Sequence, residues 1–152
     1  MQGKNGCGKS SILKLIINGR TEYGKITLAS GLKISYMPQD TSQLSGTLKE
    51  YAEQYQLEES LFFALLRKLD FSRTQFEKRL EDYSGGKKKK VLIARSLCEQ
   101  AHHYIWDEPL NYIDIFSRMQ ITELIQEYKP TMLFVEHDRR FVEDIATRGV
   151  QL

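Results

Sequence analysis

Two cysteines in 152 residues, Cys7 and Cys98, cannot build a disulfide framework, and they suit a reducing cytoplasmic setting. No apolar run approaches the roughly 20 residues that a membrane-crossing helix needs. The best candidate is Leu61-Phe62-Phe63-Ala64-Leu65-Leu66, so no direct membrane insertion is expected. The first residues lack the basic region and apolar stretch of a secretory signal. Neither sign of charge dominates: Lys plus Arg is 22 and Asp plus Glu is 20, a net +2. That balance excludes a protein held on nucleic acid by charge alone. What the chain does have is the material for one core, with 41% hydrophobic and 28% charged residues.

The apolar pattern predicts a short helix after Lys9-Ser10, carried by Ile12, Leu13, Leu15 and Ile16 and stopped at Asn18-Gly19. Two short strands are expected at Lys25–Leu28 and Lys33–Met37, with Ala29-Ser30-Gly31 turning between them and Pro38 ending the second. Residues 47–82 read as helical, with breaks or caps at Asp70 and Ser72. Ser84-Gly85-Gly86 punctuates, and a helix resumes through Val91–Leu97. From His103 the rhythm is strand, helix, strand, helix: His103–Trp106, Ile115–Tyr128, Thr131–Val135 and Arg139–Ala146, with a further strand beginning at Gly149–Leu152. Such alternation specifies an α/β fold with a parallel sheet.

Two motifs carry chemistry. Gly3-Lys4-Asn5-Gly6-Cys7-Gly8-Lys9-Ser10 fits the phosphate-loop pattern, in which glycines let the backbone wrap a phosphate and successive N–H groups form an anion nest. The helix that follows adds its N-terminal end. Gly3, Asn5, Gly6, Cys7, Gly8, Lys9, Ser10 and Ser11 are the candidate nucleotide-binding residues, with Lys9 reaching the β- and γ-phosphates and Ser10 a ligand of Mg²⁺. The thiol of Cys7 is either activated by the helix end and Lys9 or a plain small-residue replacement. Tyr104-Ile105-Trp106-Asp107-Glu108 then puts two carboxylates at the C-terminal end of a strand, where open α/β sheets hold ligands. Asp107 is placed to hold Mg²⁺, and Glu108 to orient or deprotonate an attacking water.

Four further stretches follow in order: Tyr36-Met37-Pro38-Gln39-Asp40, Tyr83-Ser84-Gly85-Gly86-Lys87, Asn111-Tyr112-Ile113-Asp114, and Glu136-His137-Asp138-Arg139-Arg140-Phe141. Together the six resemble the nucleotide-binding domain of ATP-binding cassette (ABC) proteins: Walker A, Q-loop, signature, Walker B, D-loop and switch histidine. The resemblance covers nearly all of the chain. The stretches Glu108–Asp114 and His137–Phe141 resemble the ABC-F group, soluble proteins with two ATPase domains that act on the ribosome. Gln2–Ser11, Pro38–Ser42 and Leu92–Ser117 look most similar to Lsa/Vga-type antibiotic-resistance proteins, and to their second ATPase domain.

The resemblance implies a P-loop NTPase fold of ABC type, divided into residues 1–46 (phosphate loop and Q-loop), 47–100 (helical signature subdomain) and 101–152 (Walker B to switch histidine). It implies ATP and Mg²⁺ as ligands, with Ser10, Gln39 and Asp107 serving the metal and Glu108, His137 and Gln39 the catalysis. Ser84, Gly85, Gly86 and Lys87 would face a second ATP across the interface with another ABC domain, near which Asp114 would lie. Partners are that second domain and the ribosome; the activity is ATP hydrolysis in ribosomal protection. The alternatives are the ATPase subunit of a membrane transporter and an inactive remnant. Lys87 departs from the glutamine common in the family signature, and the run Lys87–Lys90 reads either as a phosphate-contacting patch or as a solvated helix face. ABC domains normally begin with strands and an adenine-stacking aromatic residue. A chain that opens on the phosphate loop is expected to be N-terminally truncated and weak in hydrolysis by itself.

Overall fold

The computed structural model describes residues 1, 3–4, 6–19 and 26–152. Helix α1 (Lys9–Asn18) runs out of the phosphate loop and ends at Gly19, whose φ of 61° is the left-handed conformation that glycine adopts freely at a helix end. The turn at Ala29–Leu32 forms, closed by Leu32 N–H donating to the Ala29 carbonyl. The expected strand before it does not: Ile26–Leu28 lies in no strand, and Lys25 falls outside the described residues. Thr27 and Leu28 are exposed, and a segment with no ladder partner has nothing to hold it extended.

The sheet has three parallel strands in the order β1 (Ile34–Met37), β2 (His103–Asp107), β3 (Met132–Val135). The central strand β2 alternates its faces. Ile105 packs with Leu13 of α1 and Val135 in a small cluster on one side. Trp106, fully buried, joins the main core on the other. Its indole Nε1–H donates to Ser96 Oγ at 2.8 Å, and Ser96 Oγ in turn shares a proton with Ser35 Oγ at 2.6 Å. The polar tip of the tryptophan is thereby satisfied inside the core.

Residues 47–82 fold as α2 (Leu48–Gln54), α3 (Glu59–Lys68), α4 (Arg73–Phe76) and a 3₁₀ turn at Leu80–Asp82. The breaks lie where expected: Asp70 takes φ 64°, and Ser72 caps α4. Thr47 and Glu50 close a reciprocal capping box that starts α2. Helix α5 (Gly85–Cys98) follows, and every residue from Lys89 to Ser96 on it is buried. Helix α6 (Ile115–Tyr128) has the bounds the sequence predicts, and α7 (Arg139–Ile145) ends one residue early. The expected final strand is reduced to an isolated bridge at Gln151. At the start of α6, Tyr112, Ile115 and Phe116 stand largely exposed and form an apolar ridge.

Trp106→Phe should lower stability by about 2 kcal/mol, from the shrunken side chain and the lost bond to Ser96. Chemical denaturation monitored by circular dichroism measures this, and an unchanged midpoint would show that the indole is not a core anchor.

Candidate active site

The site is assembled by strand register. Met37 pairs with Trp106, and Asp107 pairs with Val135. Gln39 and Glu108 therefore leave their strands at matching points, and His137 lies one residue past the point level with Glu108. Gln39 Nε2–H donates to Glu108 Oε2 at 2.7 Å, and Asn111 Nδ2–H donates to the same oxygen at 2.5 Å. His137 Nε2 lies 3.7 Å from the other oxygen, Oε1, a charge contact if the ring is protonated. Two amides thus occupy one carboxylate oxygen and leave the second to the histidine side. Glu108 holds φ 49°, an uncommon conformation for a residue with a side chain, while its N–H stays bonded to the Val135 carbonyl.

Across the cleft stands the phosphate loop. Gly6 and Gly8 have φ of 81° and 94°, and a β-carbon on either meets nothing within 4 Å. Backbone conformation, not space, is what demands glycine at these two positions. Lys9 is buried, and its ammonium donates to the carbonyls of Gly3 and Lys4, each at 2.9 Å, with Cys7 Sγ at 3.9 Å. Gly8 precedes α1 without a side-chain cap, and among the described residues none caps the first N–H groups of that helix, which point where an anion could bind. Gly6, Gly8, Lys9, Ser10, Ser11, Gln39 and Glu108 line one open cleft of about 350 Å³. A larger hollow of about 530 Å³ lies among α6, β3 and residues 144–149, and none of the predicted site residues lines it. Asn5 falls outside the described residues.

Asp107 is 1% exposed, and its Oδ1 is buried without a hydrogen-bond partner among the described residues. An orphaned carboxylate oxygen beside this cleft suits a hard cation. No group of three or more His, Cys, Asp or Glu side chains forms a metal cage among the described residues. Mg²⁺ takes one or two protein oxygens and completes its shell with water and phosphate. The donor set of Asp107, Ser10 and Gln39 therefore fits.

The remaining predicted residues form a second group that does not line the cleft. Ser84 caps α5, its Oγ accepting the Lys87 N–H at 3.4 Å. A β-carbon at Gly86 would come within 2.4 Å of the Tyr112 carbonyl oxygen, so this close approach admits only glycine. At Gly85 the Tyr112 ring is in ordinary contact, 3.7 Å from a notional β-carbon. Asp114 caps α6 through Ser117 and pairs with Lys90 at 2.7 Å. Burial pushes its carboxyl up, but Lys90 and the Ser117 bonds outweigh that and hold it well below the usual carboxylate range.

Within the basic run Lys87–Lys90, Lys89 and Lys90 are buried, while Lys87 and Lys88 are half-buried. Lys87 Nζ donates to the Asp70 carbonyl at 2.8 Å and sits 4.8 Å from the centre of the Phe71 ring. Lys90 is committed to Asp114, and Lys89 is turned inward to backbone oxygens. Lys89 and Lys90 lie in the interior because α5 is buried from Lys89 to Ser96. Glu136, which the sequence motif assigns no role of its own, ties two loops together. Buried, it accepts N–H bonds from Leu110 at 3.0 Å, His137 at 2.7 Å and Asp138 at 3.2 Å, tying the loop after β2 to the loop after β3. A carboxylate directly after a buried strand was the available signal.

A nucleotide loop, an acidic strand end, a glutamine and a histidine around one cleft define a P-loop site of the ABC type. The family model for ABC transporters matches residues 1–111, and the chain belongs to that family as a nucleotide-binding domain. The chain is 33% identical over 155 residues to the putative ATP-binding protein YdiF of Bacillus subtilis, covering 99% of this chain and 24% of that protein. It is 31% identical over 147 residues to the ribosome protection protein VmlR of Bacillus subtilis, covering 93% and 26%. In structure it is similar to a chain of the archaeal complex of ribosomal stalk protein aP1 with ribosome recycling factor aABCE1. The TM-score there is 0.77 at 27% identity, over 96% of this chain and 30% of that one. The chain spans about a quarter of the length of the curated relatives it matches.

Two outcomes follow from this geometry. Gly86→Ala should cost about 1–3 kcal/mol by forcing α5 away from Tyr112, read as a lowered thermal midpoint. The stability that Asp114 contributes should be fully present above its unfolded pKa of about 4 and be lost as pH falls below it. The stability gap between the parent and Asp114→Asn should therefore close on acidification. A gap independent of pH would show that the Lys90–Asp114 pair contributes nothing.

Proposed function

We propose that this chain is the ATP-binding and ATP-hydrolysing domain of an ABC-F protein that acts on the ribosome, and that the whole protein protects ribosomes against antibiotics. The observation that carries the ATPase reading is the convergence of Lys9, Gln39 and Glu108 on one cleft with His137 at the carboxylate. The ribosomal part is supported by the ABC-F resemblance of Glu108–Asp114 and His137–Phe141, and by relatives named for ribosome protection and ribosome recycling.

On this reading the phosphates of ATP replace the carbonyls of Gly3 and Lys4 as partners of the Lys9 ammonium. A charged acceptor makes the stronger bond, so the exchange favours the nucleotide. The loop residues Gly3, Asn5, Gly6, Cys7, Gly8 and Ser11 cradle the phosphates with their N–H groups. Ser10, Gln39 and Asp107 hold the metal, which when bound supplies positive charge against the phosphate oxygens. Glu108 takes the proton of the attacking water through Oε1, since Oε2 is committed to Gln39 and Asn111. His137 senses the γ-phosphate from the same side. The start of α5 at Ser84-Gly85-Gly86, with Lys87, presents N–H groups to the ATP held by a second ABC domain, and Asp114 lies near that interface. ATP then acts as a clamp between the two domains, released by hydrolysis.

Titration calorimetry of MgATP into this chain tests the reading. Lys9→Ala should weaken binding at least tenfold, a loss of about 1.4 kcal/mol or more. Glu108→Gln should bind within about threefold of the parent while losing at least a hundredfold in turnover. Equal binding by parent and Lys9→Ala would sink the nucleotide reading. The ribosomal part rests on ATP-dependent co-sedimentation of the full-length Glu108→Gln protein with ribosomes, and recovery with membranes instead would overturn it.

A further inference from the structure

Lys89 is one of the largest fully buried side chains in the molecule, at 1% exposure, and it belongs to neither motif of the site. A buried ammonium is costly unless oxygen atoms surround it. Its Nζ donates to the carbonyl of Pro38 at 3.1 Å and makes a longer contact, 3.4 Å, to the carbonyl of Asp107. These two carbonyls belong to the residues immediately before Gln39 and Glu108, the pair that bond each other at 2.7 Å. Pro38 lies just beyond β1, and Asp107 ends β2. Beyond Met37↔Trp106 the regular ladder between these strands has no further paired residues, so the ammonium supplies the next link.

The charge faces several acids. Burial lowers the affinity of this amine for its proton, and Asp107, Glu108, Glu136 and Asp40 act in the opposite direction. Asp107 and Glu136 are both buried, so a cation between the strand ends offsets a concentration of negative charge beneath the cleft. Lys90, the next residue, points to Asp114 instead. The two adjacent lysines therefore face different groups.

The geometry points to Lys89 as a positioning residue for the catalytic cleft. It fastens the ends of β1 and β2 so that Gln39, Asp107 and Glu108 are presented together to the metal-bound form of the nucleotide. Lys9 and the phosphate loop, on a separate segment, are independent of it. This rests on the ATP-binding reading above, and it predicts a division of labour. The affinity for ATP without metal belongs to the phosphate loop, and the gain on adding Mg²⁺ depends on Lys89.

Calorimetry with ATP in EDTA and then in Mg²⁺, on the parent chain, Lys89→Met and Lys89→Arg, reads that division. Lys89→Met should bind metal-free ATP within about threefold of the parent but lose about tenfold of the Mg²⁺-dependent gain, since hydrogen bonds to a charged group are at stake. Lys89→Arg, which keeps charge and donors, should recover most of that gain. Without nucleotide, amide hydrogen exchange in Lys89→Met should quicken at 39–42 and 108–111 and stay unchanged in α3. An unaltered Mg²⁺ gain with unaltered exchange would overturn the proposal. So would a parallel loss of both affinities with faster exchange throughout, which marks a plain core defect. If the parent itself binds no ATP, the functional reading fails separately, and the exchange pattern still decides whether Lys89 ties the strand ends.

Discussion

Cations buried in α5 have to find oxygen, and this constraint organises much of the molecule around that helix. Arg95 donates to the Tyr36 carbonyl, lies over the Tyr55 ring at 4.7 Å and pairs with Glu99 at 3.3 Å. Lys89 reaches Pro38 and Asp107, and Lys90 reaches Asp114. A desolvated charge is tolerated only where geometry supplies acceptors, so each of these side chains fixes a piece of backbone or a carboxylate at a set distance. The pieces fixed are β1, its exit, the end of β2 and the start of α6. The strand ends beside the cleft are thus held from behind by one helix.

The same helix begins at a close approach: the Tyr112 carbonyl lies where any side chain on Gly86 would collide, and Tyr112 itself sits at φ 64°. The loop that carries Tyr112 also carries Asn111, which bonds Glu108, and Leu110, which bonds Glu136. Glu136 then holds the His137 amide. Short bonded steps therefore join the start of α5, the loop after β2 and the loop after β3.

Much of this was legible in sequence because its causes are local. Gly6 and Gly8 announce a loop that wraps closely, and α6 keeps its expected bounds, although Phe116 and Met119 are exposed while Leu124 and Ile125 are buried, so the four do not share one buried side. Glu108 is read from its place at a strand end, Gln39 and His137 from the resemblance, and parallel register brings their strand ends side by side. The failures have non-local causes. Lys87–Lys90 reads as a surface run because four adjacent lysines are usually solvated; for Lys89 and Lys90 the burial of α5 reverses that. Ile26–Leu28 has strand composition but no ladder partner among the described residues. Glu136 looks like an ordinary acid until two loops converge on it.

The ridge of Tyr112, Ile115 and Phe116 has a colloidal consequence. These side chains are 83%, 73% and 78% exposed on a chain whose net charge is only +2. Long-range Coulomb repulsion between copies is therefore feeble, and moderate salt removes most of what there is. The short-range attraction between apolar ridges is left nearly unopposed. Concentrated solutions of the isolated chain will approach their solubility limit sooner in salt than in dilute buffer.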